Sequence, residues 1–197
     1  MNNDIQFLSK LIRERRSVYP KDFNAEKKID DQIVSEILDN AVWAPNHGLN
    51  QPWFFKVFHN QGVVTFFNKM KEIYLEITPS DKQNEKKIAK YDEKAGQISH
   101  IIAVCMKRDS AKRYPEIEDI VATSCVIQNI YLQLKPQGIA GYLSTGDICY
   151  TFQIREFLNL GEDERCMGFF QLGVPSGDIK IPVRKRIPSS EKTEWID

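Results

Sequence analysis

The 197-residue chain carries 27 basic and 27 acidic side chains, so its net charge at pH 7 is zero. This balance gives no electrostatic basis for binding nucleic acid or an anionic membrane. Hydrophobic residues make up 42% of the chain, which is enough for a sizeable core, so length and composition predict a single domain over residues 1–197.

The elements of the first half follow from hydrophobic periodicity. Apolar residues at helical spacing predict helices over residues 4–16, 30–43 and 61–77. An apolar run at residues 53–58 predicts a strand. The very polar stretch 78–97 has two interpretations, a solvated loop and helix or a mobile lid over a site.

The second half contains the longest predicted helix, residues 116–135. Its apolar residues cover more than one face, which is typical of a helix in a core or at a subunit interface. Residues 100–106, 139–143 and 167–172 are predicted strands, and residues 151–159 a helix.

The order of these elements predicts an α+β or mixed α/β layer fold. The last segment, residues 174–197, contains three prolines and many charges but ends in the apolar Trp195 and Ile196. We therefore expect it to form an arm that lies across a partner subunit.

Several chemistries have no motif in this chain. It contains no Walker loop, Rossmann fingerprint, G-x-S-x-G elbow or H-E-x-x-H sequence, and no C-x-x-C pair among its four cysteines. The three histidines are isolated in sequence, so no metal site is predicted. No catalytic side chain is apparent, and we expect a bound cofactor to carry the chemistry.

The predicted cellular location rests on two features that the sequence lacks. No apolar run approaches the roughly 20 residues that span a bilayer. The N-terminal stretch is amphipathic and lacks the continuous apolar core of a signal peptide. We therefore expect a cytoplasmic protein with no membrane association.

Two basic clusters are suited to a phosphate. Arg15, Arg16 and Ser17 follow the first helix, and Arg184 and Arg186 lie in the tail. Guanidinium groups form bidentate, charge-assisted hydrogen bonds to phosphate, and a hydroxyl adds another. Taken alone, the first cluster is explained about as well by a solvated charge run, because helix C-termini favour cations, and the tail cluster is explained better by one.

Residues 44–55, APNHGLNQPWFF, form an unusually complex connection. Polar side chains alternate with turn residues, and Trp43 and Trp53 flank them. Polar edges beside flat apolar faces suit a planar heteroaromatic ligand. The alternative is an ordinary helix-to-strand loop with an aromatic plug.

The segment GIAGYLSTG, residues 138–146, has three glycines in nine residues and two hydroxyls. Its backbone can approach a ligand closely, although a tight strand-to-helix turn is the alternative. Taken together, the clusters describe a ligand with a phosphate, a polyhydroxyl linker and a flat ring with polar edges. Flavin mononucleotide (FMN) fits that description.

The chain resembles the nitroreductase family over nearly its whole length. The resemblance rests on five stretches in the family's order: RRSV (15–18), APNHGLNQPWFF (44–55), GIAGYLSTG (138–146), MGFFQLGVP (167–175) and KRIP (185–188). It implies a central, mostly antiparallel sheet flanked by helices and an intertwined homodimer with FMN at the interface.

The resemblance also implies roles for the phosphate end of the site. By motif matching, Arg15, Arg16 and Ser17 would hold the phosphate and ribityl end of FMN. Arg186, or alternatively Arg184, would complete the phosphate site.

At the ring end, His47 resembles the histidine of a small branch of the family in which this loop contacts FMN, and Asn50 belongs to the same loop. Trp43 would reach the FMN of the other subunit. The isoalloxazine or its ribityl chain would be lined by Leu143, Ser144 and Thr145. Leu143 stands where the family often has a tryptophan, and Ser144 where a basic or polar residue is frequent.

The resemblance predicts an FMN-dependent oxidoreductase that uses NADH or NADPH to reduce nitroaromatics, quinones or related small acceptors. Hydride transfer through flavin N5 in two half-reactions predicts ping-pong kinetics. The alternative is a flavin-binding storage, sensor or regulatory protein with little turnover. A further alternative is an enzyme of the same fold that consumes flavin.

Overall fold

A computed structural model describes residues 3–177 and 184–197 of the chain. The helices are α1 (Asn3–Glu14), α2 (Asp31–Ala41), α3 (Gln61–Ile77), α4 (Glu85–Gln97), α5 (Glu116–Leu134) and α6 (Phe152–Phe157). The strands are β1 (Trp53–His59), β2 (His100–Lys107), β3 (Ala140–Ser144) and β4 (Glu164–Gly173).

The predicted elements are present with small shifts at their ends. The polar stretch 78–97 folds as a short 3₁₀ turn, Ser80–Lys82, followed by α4. The side chain of Asn84 caps α4 by accepting hydrogen bonds from two backbone amides of its first turn. Helix α6 is shorter than predicted because Asn159 adopts a left-handed φ of 46° just after it.

The four strands form one antiparallel sheet in the order β1-β2-β4-β3. The predicted mixed helix-and-sheet architecture with an antiparallel sheet is therefore confirmed. Strand β3 lies at one edge of the sheet and β1 at the other. Among the described residues, no further strand pairs with the outer side of β3.

The core lies on both faces of the sheet, and alternate residues of β2 contribute to its two layers. Ile101, Ala103 and Cys105 point into the layer formed with α3 and α6, whereas Ile102 and Val104 point into the layer formed with α2 and α5. A strand buried on both faces reads as a continuous apolar run, as HIIAVCM does.

Several large apolar side chains are exposed to solvent among the described residues. Helix α1 buries none of its residues, although its sequence is strongly amphipathic. Trp43 is 87% exposed and Trp195 is 90% exposed. Exposed apolar surface of this extent marks an interaction face. None of the described helices is long and apolar enough to cross a bilayer.

Candidate functional site

Tyr131, on α5, connects the first predicted cluster to the third. Its hydroxyl lies 3.0 Å from Ser17 Oγ and accepts a 3.0 Å hydrogen bond from the backbone amide of Leu143. The guanidinium of Arg15 lies over its ring, 4.8 Å from the centroid. The backbone amide of Val18 also donates to the carbonyl of Gly141. Two segments more than 100 residues apart therefore meet at β3.

A cavity of about 240 Å³ opens beside this junction, with Arg15 and Arg16 in its wall. Lys135 also lines it, but its ammonium is paired with Glu14, and that hydrogen bond lowers the pKa of Glu14. Arg16 donates only to nearby backbone carbonyls, and its Nε is buried without an acceptor among the described residues. Among residues 3–177 and 184–197, the available cations in the wall of this cavity are therefore the two arginines.

A second, larger cavity of about 470 Å³ lies between β3, β4 and helices α3 and α4. Ser144 and Gly146 of the glycine-rich segment line it. Most of its wall is aromatic or aliphatic, from Phe66, Phe67, Met70, Tyr74, Ile77, Tyr91, Ile148 and Phe169. Its volume and apolar lining are those of a small-molecule pocket.

Two polar groups in this second cavity lack partners among the described residues. Gln171 is 3% exposed, and its Oε1 accepts no hydrogen bond. No carboxylate contacts the Lys94 ammonium, and burial lowers the pKa of Lys94. Buried polar groups in folded proteins are almost always paired. The unpaired Gln171 Oε1 therefore marks a position where a polar ligand fits, and the half-buried Lys94 lies in the wall of the same cavity.

The 44–55 loop has a strained backbone that is held in place by α5. Leu49 and Gln51 have left-handed φ angles of 54° and 45°, and strain of this kind clusters at functional sites. Gly48 has φ of 56°, and a Cβ there would lie 2.1 Å from the Tyr114 hydroxyl. No other residue fits at that position without moving Tyr114.

Two side chains of the loop bind acids in the first turns of α5. His47 Nδ1 lies 2.6 Å from Glu118 Oε2, and Asn50 donates a 2.7 Å hydrogen bond to the buried Asp119. Acids are favourable at this end of a helix because its dipole is positive there. The exposed part of His47 and the exposed Trp43 remain accessible beside the loop.

Within one chain, these predicted site residues do not all converge. Asp119 and Tyr131 lie 12 positions apart on α5, which corresponds to about 18 Å along the helix. The loop with His47 and Asn50 therefore lies at one end of α5, and the Arg15–Ser17 cluster lies at the other. A single protomer presents two separate parts of a site.

The remaining predicted residues are exposed. Thr145 follows β3 at the surface, and Arg184 and Arg186 lie in the exposed tail. Arg186 donates only to the carbonyl of Lys185 among the described residues. The segment that joins this tail to Gly177, residues 178–183, lies outside the described residues. The phosphate role of the tail arginines stays a prediction.

A family model described as the nitroreductase family matches residues 12–174. The chain belongs to the nitroreductase family. YfhC of Bacillus subtilis, provisionally named as an NAD(P)H nitroreductase, is 27% identical over 186 residues, with 94% of this chain and 92% of YfhC covered. YdjA of Escherichia coli K12, which has the same provisional name, is 25% identical over 162 residues, with coverage of 80% and 86%.

Solved structures give the same family fold. A nitroreductase-like family protein from Bacillus cereus has a TM-score of 0.83 at 25% identity, covering 96% of this chain and 95% of that one. A provisionally named nitroreductase from Desulfovibrio desulfuricans, solved in complex with FMN, has a TM-score of 0.70 at 20% identity, with coverage of 100% and 98%. The predicted nitroreductase-like fold is confirmed.

Lys94, Tyr131 and Gln171 are candidate residues of this nitroreductase-family chain that sequence reasoning missed. Lys94 is one of five lysines between Lys82 and Lys94, and only the packing of α4 distinguishes it. Tyr131 resembles any aromatic residue of a buried helix until its hydroxyl contacts are known.

The buried cysteines have no role in the site. Cys105, Cys149 and Cys166 are buried and no cysteine is in a disulfide. The hydrogen bond that the Cys166 thiol donates to Cys105, together with burial, raises the pKa of Cys166 to about 12. The pKa of Cys149 is also raised, by its hydrogen bond with Cys166 and by burial, so these two thiols are protonated at neutral pH and are poor nucleophiles.

We expect Asn50→Ala to destabilise the protein by about 1–3 kcal/mol, because Asp119 loses its close hydrogen-bond donor while it remains buried. In the part of the chain that the structure describes, Arg108 Nε, 3.9 Å away, is the one cationic group that would still face the carboxylate. Urea denaturation of the flavin-free protein measures the free energy of unfolding. Asn68→Ala, an exposed amide on α3, is the matched control and should change stability by less than about 0.5 kcal/mol. Equal stabilities of the two variants would contradict the role of Asn50 in holding the loop.

Proposed function

We propose that this chain is an FMN-dependent oxidoreductase that uses NADH or NADPH to reduce small acceptors such as nitroaromatics and quinones. The observation that carries the proposal is the 470 Å³ cavity beside Ser144, which contains the unpaired Lys94 and the buried, unpaired Oε1 of Gln171. The provisional naming of YfhC and YdjA as NAD(P)H nitroreductases supports the electron donor and the reaction class.

The second cavity fits the flavin ring in shape and chemistry. Its aromatic and aliphatic walls suit a flat heteroaromatic ring. Gln171 Oε1 can accept from an N–H on the ring edge, and the Lys94 ammonium can stabilise negative charge on that edge. Ser144 and the backbone around Thr145 would bound the ring on the β3 side, with Leu143 behind them.

The first cavity fits the phosphate end. Arg15 and Arg16 line it, and the buried Arg16 Nε lacks an acceptor that a phosphate oxygen would provide. Ser17 would add a hydroxyl. Arg186, or alternatively Arg184, would supply the remaining positive charge for the phosphate from the tail. Gly177 of that tail lies in the wall of the same cavity.

When bound, FMN supplies the redox chemistry, accepting a hydride at N5 and passing electrons to the acceptor. The residues of this chain need only bind the flavin, orient it and stabilise its developing charge. Lys94 and Gln171 would hold the polar edge of the ring, and a cation aimed at developing charge is an effective catalytic device in a low-dielectric site. Donor and acceptor would occupy one position in turn, which predicts ping-pong kinetics.

The proposed enzyme is a homodimer with the FMN site at the interface. Each protomer presents two parts of a site about 18 Å apart along α5, and the exposed apolar residues of α1, Trp43 and the tail provide contact surface. A second copy can bring the 44–55 loop, with Trp43, His47 and Asn50, to the Arg15–Tyr131 end of its partner. The four free cysteines are consistent with the reducing cytoplasm, where we propose the enzyme acts.

The deciding experiment is spectroscopic. We expect the purified protein, or the protein reconstituted with FMN, to show a flavin absorption spectrum that bleaches when NADH or NADPH is added without oxygen. Addition of a quinone or nitroaromatic should then restore the colour. The pyridine nucleotide that bleaches the flavin faster identifies the preferred donor.

Other outcomes separate the alternatives. Bound FMN that neither nucleotide reduces would contradict the oxidoreductase and favour a flavin-binding protein with a storage or sensing role. Loss of FMN during turnover would indicate an enzyme that consumes flavin. Failure to bind added FMN would contradict the whole proposal. Light scattering that gives a monomer at micromolar concentration would contradict the shared site.

A further inference from the structure

Two histidines and an aspartate cluster at the β1 edge of the sheet, three strands away from β3. His59 ends β1 and His100 begins β2, and they lie directly opposite each other in the antiparallel ladder. Asp31 is the first residue of α2. The three candidate ligand atoms all lie within 4.8 Å of one another.

The Asp31 carboxylate lies between the two imidazoles. Asp31 Oδ1 is 2.8 Å from His100 Nε2, and Asp31 Oδ2 is 2.9 Å from His59 Nδ1. The two rings are roughly parallel, with centroids 5.9 Å apart. The carboxylate therefore bridges the two imidazoles, and the candidate ligand atoms of all three residues lie close together.

His100 is held in a fixed orientation. It is 3% exposed, and its Nδ1 lies 3.0 Å from Ser99 Oγ. Ser99 Oγ is itself fixed, because it accepts a 2.8 Å hydrogen bond from the backbone amide of Ile29. Metal-binding histidines characteristically have their second ring nitrogen bound in this way, since that bond sets the tautomer and aims the other nitrogen.

We propose that Asp31, His59 and His100 form a binding site for a divalent transition-metal ion, with Zn²⁺ as its occupant. Two imidazoles and a carboxylate suit Zn²⁺, which takes three protein ligands and a water where a site stays open. The open position faces a cavity of about 280 Å³ whose apolar wall is formed by Val34, Leu38 and Val57.

The cluster has to adjust to accept a metal. Tetrahedral coordination with bonds of about 2.0–2.1 Å separates neighbouring ligand atoms by roughly 3.3 Å. The histidine–aspartate contacts of 2.8 and 2.9 Å therefore have to open by a fraction of an ångström, and the two histidine nitrogens, which lie within 4.8 Å of each other, have to come to the same spacing. Asp31 and His59 are about half-exposed or more, so their side chains can rotate while the buried His100 stays fixed.

A metal here would join the start of α2 to the end of β1. The loop that carries Trp43, His47 and Asn50 connects the other ends of those two elements. The ion would therefore stabilise the packing of α2 against β1, the two elements that the loop connects, without contacting the proposed flavin site. Occupancy should raise the melting temperature of the protein, because the ion would bind the folded chain and not the unfolded one.

The test uses the full chain, treated with a chelator, desalted and titrated with ZnCl₂ in a calorimeter. We expect one zinc per chain with a micromolar or tighter dissociation constant, confirmed by elemental analysis. Asp31→Asn and His59→Gln should each weaken zinc binding at least about tenfold. Asp39→Asn, the same change at an exposed position of α2, is the matched control and should bind zinc as the wild type does.

Two further measurements complete the test. Co²⁺ should give visible ligand-field bands in the wild type that Asp31→Asn abolishes, and Zn²⁺ should raise the melting temperature of the wild type and of Asp39→Asn but not that of Asp31→Asn. Circular dichroism of the metal-free variants establishes that they fold. Wild-type protein that binds no zinc at 1:1 stoichiometry, or folded Asp31→Asn that binds it unchanged, would overturn the proposal. Flavin content, recorded in parallel, is independent of either result.

Discussion

We expect Arg16→Ala to weaken FMN binding about 10- to 150-fold. The affinity is measured by the quenching of FMN fluorescence when the flavin-free protein is titrated with FMN. A hydrogen bond to a charged group contributes about 1.5–3 kcal/mol, and each 1.4 kcal/mol corresponds to about a tenfold change in affinity. Arg16 lines the 240 Å³ cavity and has a buried Nε without an acceptor among the described residues. A phosphate oxygen would satisfy that group.

Riboflavin provides the matched ligand control, since it has the same ring and ribityl chain without the phosphate. We expect its affinity to be the same in the wild type and in Arg16→Ala, so that the preference for FMN over riboflavin shrinks in the variant. Arg13→Ala, which removes an exposed arginine from α1, should leave both affinities unchanged. A variant that binds FMN as tightly as the wild type would show that Arg16 does not contact the phosphate.

Lys94→Met should have opposite effects on stability and on redox chemistry. The flavin-free variant should be about 0.5–1 kcal/mol more stable to urea, because a half-buried cation without a counter-ion among the described residues is replaced by an apolar side chain of similar length. With FMN bound, its two-electron midpoint potential should fall by about 30–65 mV, the equivalent of a lost charged interaction of about 1.5–3 kcal/mol. Reduction by NADH or NADPH should be slower.

The stability difference should depend on pH in a defined direction. Burial lowers the pKa of Lys94 in the folded chain. As pH rises through that lowered pKa, the folded chain releases its proton while the unfolded chain keeps it, so the wild type gains stability. The advantage of Lys94→Met should therefore shrink at alkaline pH.

Lys86→Met, at an exposed position of the same helix, is the control for both measurements. It should leave the unfolding free energy and the flavin potential essentially unchanged. A potential in Lys94→Met equal to that of the wild type would exclude Lys94 from the polar edge of the ring.

The sequence predicted the elements well where periodicity was unambiguous. The bounds of α3 agree with the prediction at both ends, because a clear helical pattern over residues 61–77 is interrupted by a left-handed Asn60 before it and an extended Thr78 after it. The antiparallel sheet followed from the resemblance, which the family match and the shared fold confirm.

The site was harder to predict from the sequence than the elements were, because it depends on distances between residues that no local sequence pattern encodes. The composition of the 44–55 loop indicated an unusual structure, but not the left-handed Leu49 and Gln51. Lys94 is one lysine in a polar run until α4 is packed against the sheet. Asp31, His59 and His100 are isolated in sequence and meet only when β1 pairs with β2.

Helix α5 is a single rigid element that supports both parts of the proposed site. Near its start it binds the 44–55 loop through Glu118 and Asp119, and near its end Tyr131 organises the arginine cluster. In the proposed dimer those two parts serve different flavins. Each α5 then connects the two active sites, so a single helix supplies contacts to both flavins of the proposed dimer.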